Sequence, residues 1–169
     1  MDREKLRAVQ APLKERYRTE PEAALVTLSA QGALDDEHIS CSVATGRALV
    51  EAGLHPATGG TGMLACSGDM LLEALVACAG VTLCSVATAL EMQVGGTVRA
   101  EGDLDFRGTL GVAKEDEPPV GFREIRLRFD LEHDADEEKL ATLMRLTERY
   151  CVVFQTISGG VPVTVETAA

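Results

Sequence analysis

The chain has 169 residues, 46% of them hydrophobic, and a formal net charge of −11. That length fits one domain that buries roughly two thirds of the surface its unfolded chain exposes. The acidity argues against nucleic acid and anionic membrane surfaces, which attract basic patches.

In chain order, residues 3–18 carry Leu6, Val9, Leu13 and Tyr17 at helical spacing. Pro12 is expected to kink or break that helix. "AALVTLSAQGAL" then reads as a strand around Leu25, and "HISCSVATG" as its hairpin partner, with Ile39, Cys41 and Val43 on one face. "GRALVEAGL" is expected to form a third strand, and "HPATGGTGMLACSGD" a glycine-rich loop. That loop lacks the GxxxxGK[ST] pattern and its lysine, so it reads as a turn rather than a phosphate cradle.

Residues 71–90, "LLEALVACAGVTLCSVATAL", are almost wholly apolar. The run is marginal for a membrane span and reads as a buried helix, capped by Ser67 or Asp69. A helix apolar all round belongs in the middle of a molecule or an oligomer. A long strand follows "VGG", with Val98, Ala100, Leu104 and Phe106 of one parity. "KEDEPP" is a solvated turn. In "FREIRLRFDL", Ile125, Leu127, Phe129 and Leu131 alternate with Arg126, Arg128 and Asp130, the pattern of a half-buried strand. Asp134 and Glu137 form a capping-box pattern. The next helix puts Leu140, Leu143, Met144, Thr147 and Cys151 on one face, and "VPVTVE" reads as a closing edge strand. Hairpins separated by helices predict an α+β fold. The expected organisation is a helical N-terminal extension over 1–21 and a main domain over 22–169.

Five cysteines, irregularly spaced and with no CxxC, fit neither a secreted disulfide framework nor a zinc site. His38, His55 and His133 are scattered, so no metal is expected. The charged first residues lack an apolar signal core, and a cytoplasmic protein is the expectation. A cysteine on an apolar face is most often a small core residue. Cys41 and Cys84 take that reading, and Cys66 lies in a loop with no evident partner. Cys78 sits midway along the apolar helix, and Cys151 near the end of the amphipathic one. Packing of the two helices would bring both sulfurs within disulfide reach. Burial alone raises a thiol pKa, so a reactive Cys78 needs a cation or hydrogen-bond donors from another element.

"SGDMLLEALVACAGVTL" resembles the central-helix signature of the OsmC/Ohr family (osmotically inducible and organic hydroperoxide resistance proteins). "RLTERYCVV" resembles that family's second cysteine signature. The resemblance covers roughly residues 22–166. It implies an intertwined homodimer, with antiparallel sheets wrapped around central helices. It implies a peroxidase of oxidative stress defence that acts on organic hydroperoxides without metal or organic cofactor. Cys78 is then the peroxidatic thiol, Cys151 the resolving thiol, and a lipoyl-type dithiol the reductant. The sequence departs from the family at Ser67-Gly68, where Pro-Glu is usual, and at Val152, where Pro is usual. Asp69 is the nearest acid to the missing Glu, and Arg47 the candidate for the activating cation. A non-catalytic member that binds an apolar molecule at the dimer interface, and a thiol redox sensor, remain alternatives.

Overall fold

The computed structural model describes residues 3–35, 40–43, 52–114, 118–165 and 167, and the side chains of 8–26, 52–114, 118–165 and 167. The fold is α+β. Helix α1 (Arg3–Thr19) leads to strand β1 (Leu25–Asp35) and strand β2 (Ser40–Val43). The long helix α2 (Ser67–Ala89) follows, then β3 (Val94–Asp105) and the short helix α3 (Phe106–Thr109). Strand β4 (Phe122–His133), helix α4 (Glu137–Tyr150) and helix α5 (Val152–Gly159) complete the order. The four strands among the described residues form one sheet, β2-β1-β3-β4, antiparallel throughout.

Strand register follows the hydrophobic alternation. On β3, Val98 and Ala100 are fully buried and Leu104 nearly so, as their shared parity predicts. They pair with Phe129, Leu127 and Phe122 of β4, with one bulge at Asp103/Leu104. On the opposite face the Arg126 guanidinium donates to both Asp103 carboxylate oxygens at 2.6 and 3.0 Å, a cross-strand ion pair that agrees with the register. Gly96 has φ 115°, and a Cβ there would strike the Asp130 carbonyl, so only glycine lets the strands approach at this point.

Helix α2 lies on the sheet. Leu72, Leu75, Val76, Ala79, Leu83, Cys84 and Ala87 are buried, spaced as one helical stripe. By length and composition α2 would also suit a membrane. Its second face is not covered within this chain. Met70, Leu71, Ala74 and Val81 are apolar and exposed. One core joins α2 to β3, Tyr17, Phe106 and Cys151, and a second joins Leu83 and Ala87 to Met92, Val94 and Leu143.

Several expectations need correction. Helix α1 runs through Pro12 without a break. Its far end is tied down by tertiary contacts that outweigh the lost backbone bond: the Tyr17 hydroxyl donates to the Ala57 carbonyl at 2.7 Å, and Gln10 donates to the Thr58 carbonyl at 3.3 Å. The α2 N-cap is Cys66, without a side-chain cap bond, and Ser67 and Asp69 lie inside the first turn. The α4 cap is Asp136, which accepts from the Lys139 N–H at 2.8 Å, rather than Asp134. It stands immediately before the first helical residue, where a side chain reaches the third N–H. Residues 161–165 are exposed coil, not a strand, since alternation makes a strand only where a neighbouring edge accepts its hydrogen bonds. The expected strand at 46–54 falls mostly outside the described residues. There Ala52 makes an isolated parallel bridge to Ala65.

Candidate active site

Cys78 lies on the α2 flank that faces the junction of α4 and α5. Cys151 sits in that junction, closing α4 and opening α5 with an extended backbone, φ −72° and ψ 106°. Its sulfur accepts from the Phe154 N–H at 3.5 Å, so the cysteine caps α5 with its side chain. This turn points the unpaired N–H groups of the first turn of α5 at Cys78.

The Cys78 sulfur is bonded by the Val153 N–H, the Cys151 side chain, the Thr82 hydroxyl and the Val152 N–H. Burial raises its pKa, yet these donors together outweigh burial and hold the thiol below the ordinary value. Among the described residues, none of the groups acting on it is a cation. Cys151 behaves in the opposite way. Burial, and then its bond to Cys78, push it up to about 11, although the Phe154 N–H pulls the other way. Cys78 is therefore the more acidic thiol of the pair, and Cys151 is the donor in the bond between them. Cys151 is 1% exposed, whereas Cys78 is half-buried. The four cysteines with described side chains form no disulfide.

A groove of about 600 Å³ runs beside this centre. Leu71 and Leu75 of α2, Phe122, Ile125 and Leu127 of β4, and Phe154 and Ile157 of α5 line it. Leu75 is three residues before Cys78 and Phe154 three after Cys151, spacings that set each beside its cysteine. The groove is mostly apolar, with Arg123 and Glu124 at its β4 end.

The other expected residues are placed apart. Asp69 lies nine residues before Cys78 on α2, about 13.5 Å along the axis. Burial raises its carboxyl, and nearby His55 lowers it. His55 stacks on Phe106 with centroids 4.8 Å apart, and its Nδ1 accepts from the Ala57 N–H. Arg47 lies outside the described residues. Cys84 is fully buried on the sheet-facing stripe. Among the described residues, no three His, Cys, Asp or Glu side chains converge as a metal site would require. The functional groups that sequence reasoning missed are the backbone N–H groups of Val152 and Val153. Their available signal was the spacing of Phe154 and Ile157 just past Cys151.

Comparison with known proteins adds one finding. Residues 60–166 match the family model described as OsmC-like protein. No curated protein matches the chain.

Proposed function

Because the chain belongs to the OsmC-like protein family, we propose that it is a thiol-dependent peroxidase that reduces organic hydroperoxides. Membership of that family suggests a peroxiredoxin-like or stress-related protein. The observation that carries the finer reading is the set of four donors around the Cys78 sulfur, one of them Cys151.

The thiolate attacks the outer oxygen of ROOH. The O–O bond breaks, a proton completes ROH, and Cys78 becomes a sulfenic acid. Cys151 then attacks that sulfur through its own, water leaves, and a Cys78–Cys151 disulfide forms. A dithiol of lipoyl type reopens it by exchange, returning two thiols and a cyclic disulfide. Sulfur is nucleophile and electron donor throughout. The apolar groove suits the organic substituent of the peroxide, and excludes water from the leaving alkoxide side. The exposed apolar face of α2 supports a homodimer built on that face, and we place the protein in the cytoplasm.

The test is reaction of the reduced protein with one equivalent of cumene hydroperoxide, followed by peptide mass mapping. Loss of peroxide matched by a Cys78–Cys151 bridge is the expected result. A bridge elsewhere, or no peroxide consumed, overturns it. A second reading, a non-catalytic binding module, rests on the groove and on Asp69 standing far from Cys78. It predicts saturable binding of cumyl alcohol with Cys78 unchanged by peroxide.

A further inference from the structure

Two of the chain's four phenylalanines, Phe122 and Phe154, line the groove beside Cys78. Phe154 comes with the α4–α5 turn, whereas Phe122 owes its place to an irregularity of the sheet. Asp103 pairs with Glu124 and Leu104 with Phe122, so Arg123 is an extra residue in β4. Strict alternation from Leu127 and Ile125 would turn Arg123 to the apolar face and Phe122 away from it. The bulge reverses that order. Phe122 packs against the main core, and Arg123 is exposed. The Phe122 ring then lies over Gly102 of β3. Gly102 is buried, and a Cβ there would stand 2.5 and 2.6 Å from two carbons of that ring. We propose that Phe122, seated by the bulge and by Gly102, is the specificity-determining residue of the groove, and that with Phe154 it selects an aryl ring as the organic group of the substrate. The inference rests on the groove serving the peroxide's organic substituent, as proposed above.

Leu75, Ile125 and Leu127 offer apolar area without direction, and treat an aryl ring and a saturated ring of the same size alike. Phenylalanine faces and edges do not. They carry a quadrupole, and offset or edge-to-face contact with an aryl ligand adds about two- to tenfold in affinity beyond the area buried. Discrimination between the two kinds of ligand therefore falls to Phe122 and Phe154. Gly102 is a positioning residue that acts through Phe122. A methyl group at 102 cannot be absorbed by the paired backbone of β3, so the ring yields to it. The ring moves off the sheet toward α2 and α5, which supply the facing wall, and narrows the groove.

The experiment is calorimetric titration of the reduced full chain with cumyl alcohol and with its ring-saturated cyclohexyl counterpart. Cumyl alcohol is expected to bind the tighter of the two, by about two- to tenfold. Phe122→Leu keeps apolar area in the groove and lowers that preference. Gly102→Ala weakens cumyl alcohol several-fold where Phe122 is present. It does little in the Phe122→Leu background, where the shorter, more flexible side chain gives way, so the two substitutions are not additive. Circular dichroism verifies the fold of each variant, and Phe122→Leu decides alone if Gly102→Ala does not fold. Absence of saturable binding by both ligands overturns the proposal. Equal affinities do so too, as does a preference that Phe122→Leu leaves unchanged, or a Gly102→Ala effect of the same size in both backgrounds. None of these titrations consumes peroxide. A wild type that is inert to peroxide but prefers cumyl alcohol removes the peroxidase reading and leaves this one standing, and peroxide turnover with equal affinities does the reverse.

Discussion

Cys151 hydrogen-bonds through its side chain to the sulfur of Cys78, a contact that helps the Val153 N–H lower the Cys78 thiol against its burial and adds to the burial that raises Cys151. Selective alkylation follows. Iodoacetamide near neutral pH labels Cys78 first, and its rate-against-pH midpoint falls below that of a free thiol. Cys151, at about 11, stays unlabelled until strongly alkaline pH. A Cys78 midpoint at or above the free-thiol value contradicts this account of the site.

Backbone donors can be removed singly. Val153 is the second residue of α5 and Val152 the first. Proline is tolerated in a first helical turn and lacks the N–H. Val153→Pro raises the Cys78 midpoint, and Val152→Pro raises it less, since Val153 is the stronger of these two donors. Helicity stays constant in both. If Arg47→Ala shifts the midpoint more than Val153→Pro does, a cation rather than the helix end governs the thiol.

The exposed face of α2 is tested by charge. Val81 is 41% exposed on that face. In the proposed homodimer Val81→Glu buries an unpaired carboxylate, and sedimentation shows a shift toward monomer. An unchanged sedimentation coefficient places any dimer interface elsewhere.

Anchoring of α1 and of the second core has measurable worth. Tyr17→Phe removes the bond to the Ala57 carbonyl and costs about 0.5–1.5 kcal/mol in urea unfolding. Leu143, fully buried beneath α4, costs about 2–5 kcal/mol as Leu143→Ala. A smaller loss for Leu143 than for Tyr17 contradicts the packing described.

Acid stability depends on Asp105. Burial alone would raise its carboxyl, but the Arg107 bonds outweigh burial and hold it below the usual value. A depressed folded-state pKa contributes stability above the unfolded value of about 3.9 and loses it as pH falls through the folded value. Asp105→Asn therefore destabilises at neutral pH, and the difference from wild type shrinks in strong acid. The readout is the urea midpoint between neutrality and pH 2.

Much of this architecture was legible from periodicity. Ile125 to Leu131 alternate and form part of β4, and Leu143 and Thr147 share the buried face of α4, with buried Cys151 just past its end. The break at Cys151 was not legible. No glycine or proline marks it, and Val152, Val153 and Phe154 continue an apolar run, so nothing in the sequence announces that a second helix, α5, starts there. The pair Cys78 and Cys151 was found through resemblance, whereas the donors that shape Cys78 are peptide groups, which no residue type announces. Pro12 misled for the converse reason: a local helix breaker says nothing of Tyr17 and Gln10 holding the helix from outside.

The α4–α5 turn also bears on how hard an oxidised form would be to recover. Donors that favour the Cys78 thiolate favour the dithiol over any disulfide that Cys78 enters, because a bridged sulfur carries no charge for them to stabilise. Cys78 is then the better leaving group of the two, although Cys151, the sulfur a thiolate would attack to expel it, is buried. The same turn that lowers the Cys78 pKa thus tilts the equilibrium away from its disulfide, which suits the proposed peroxidase cycle better than a store of oxidation events.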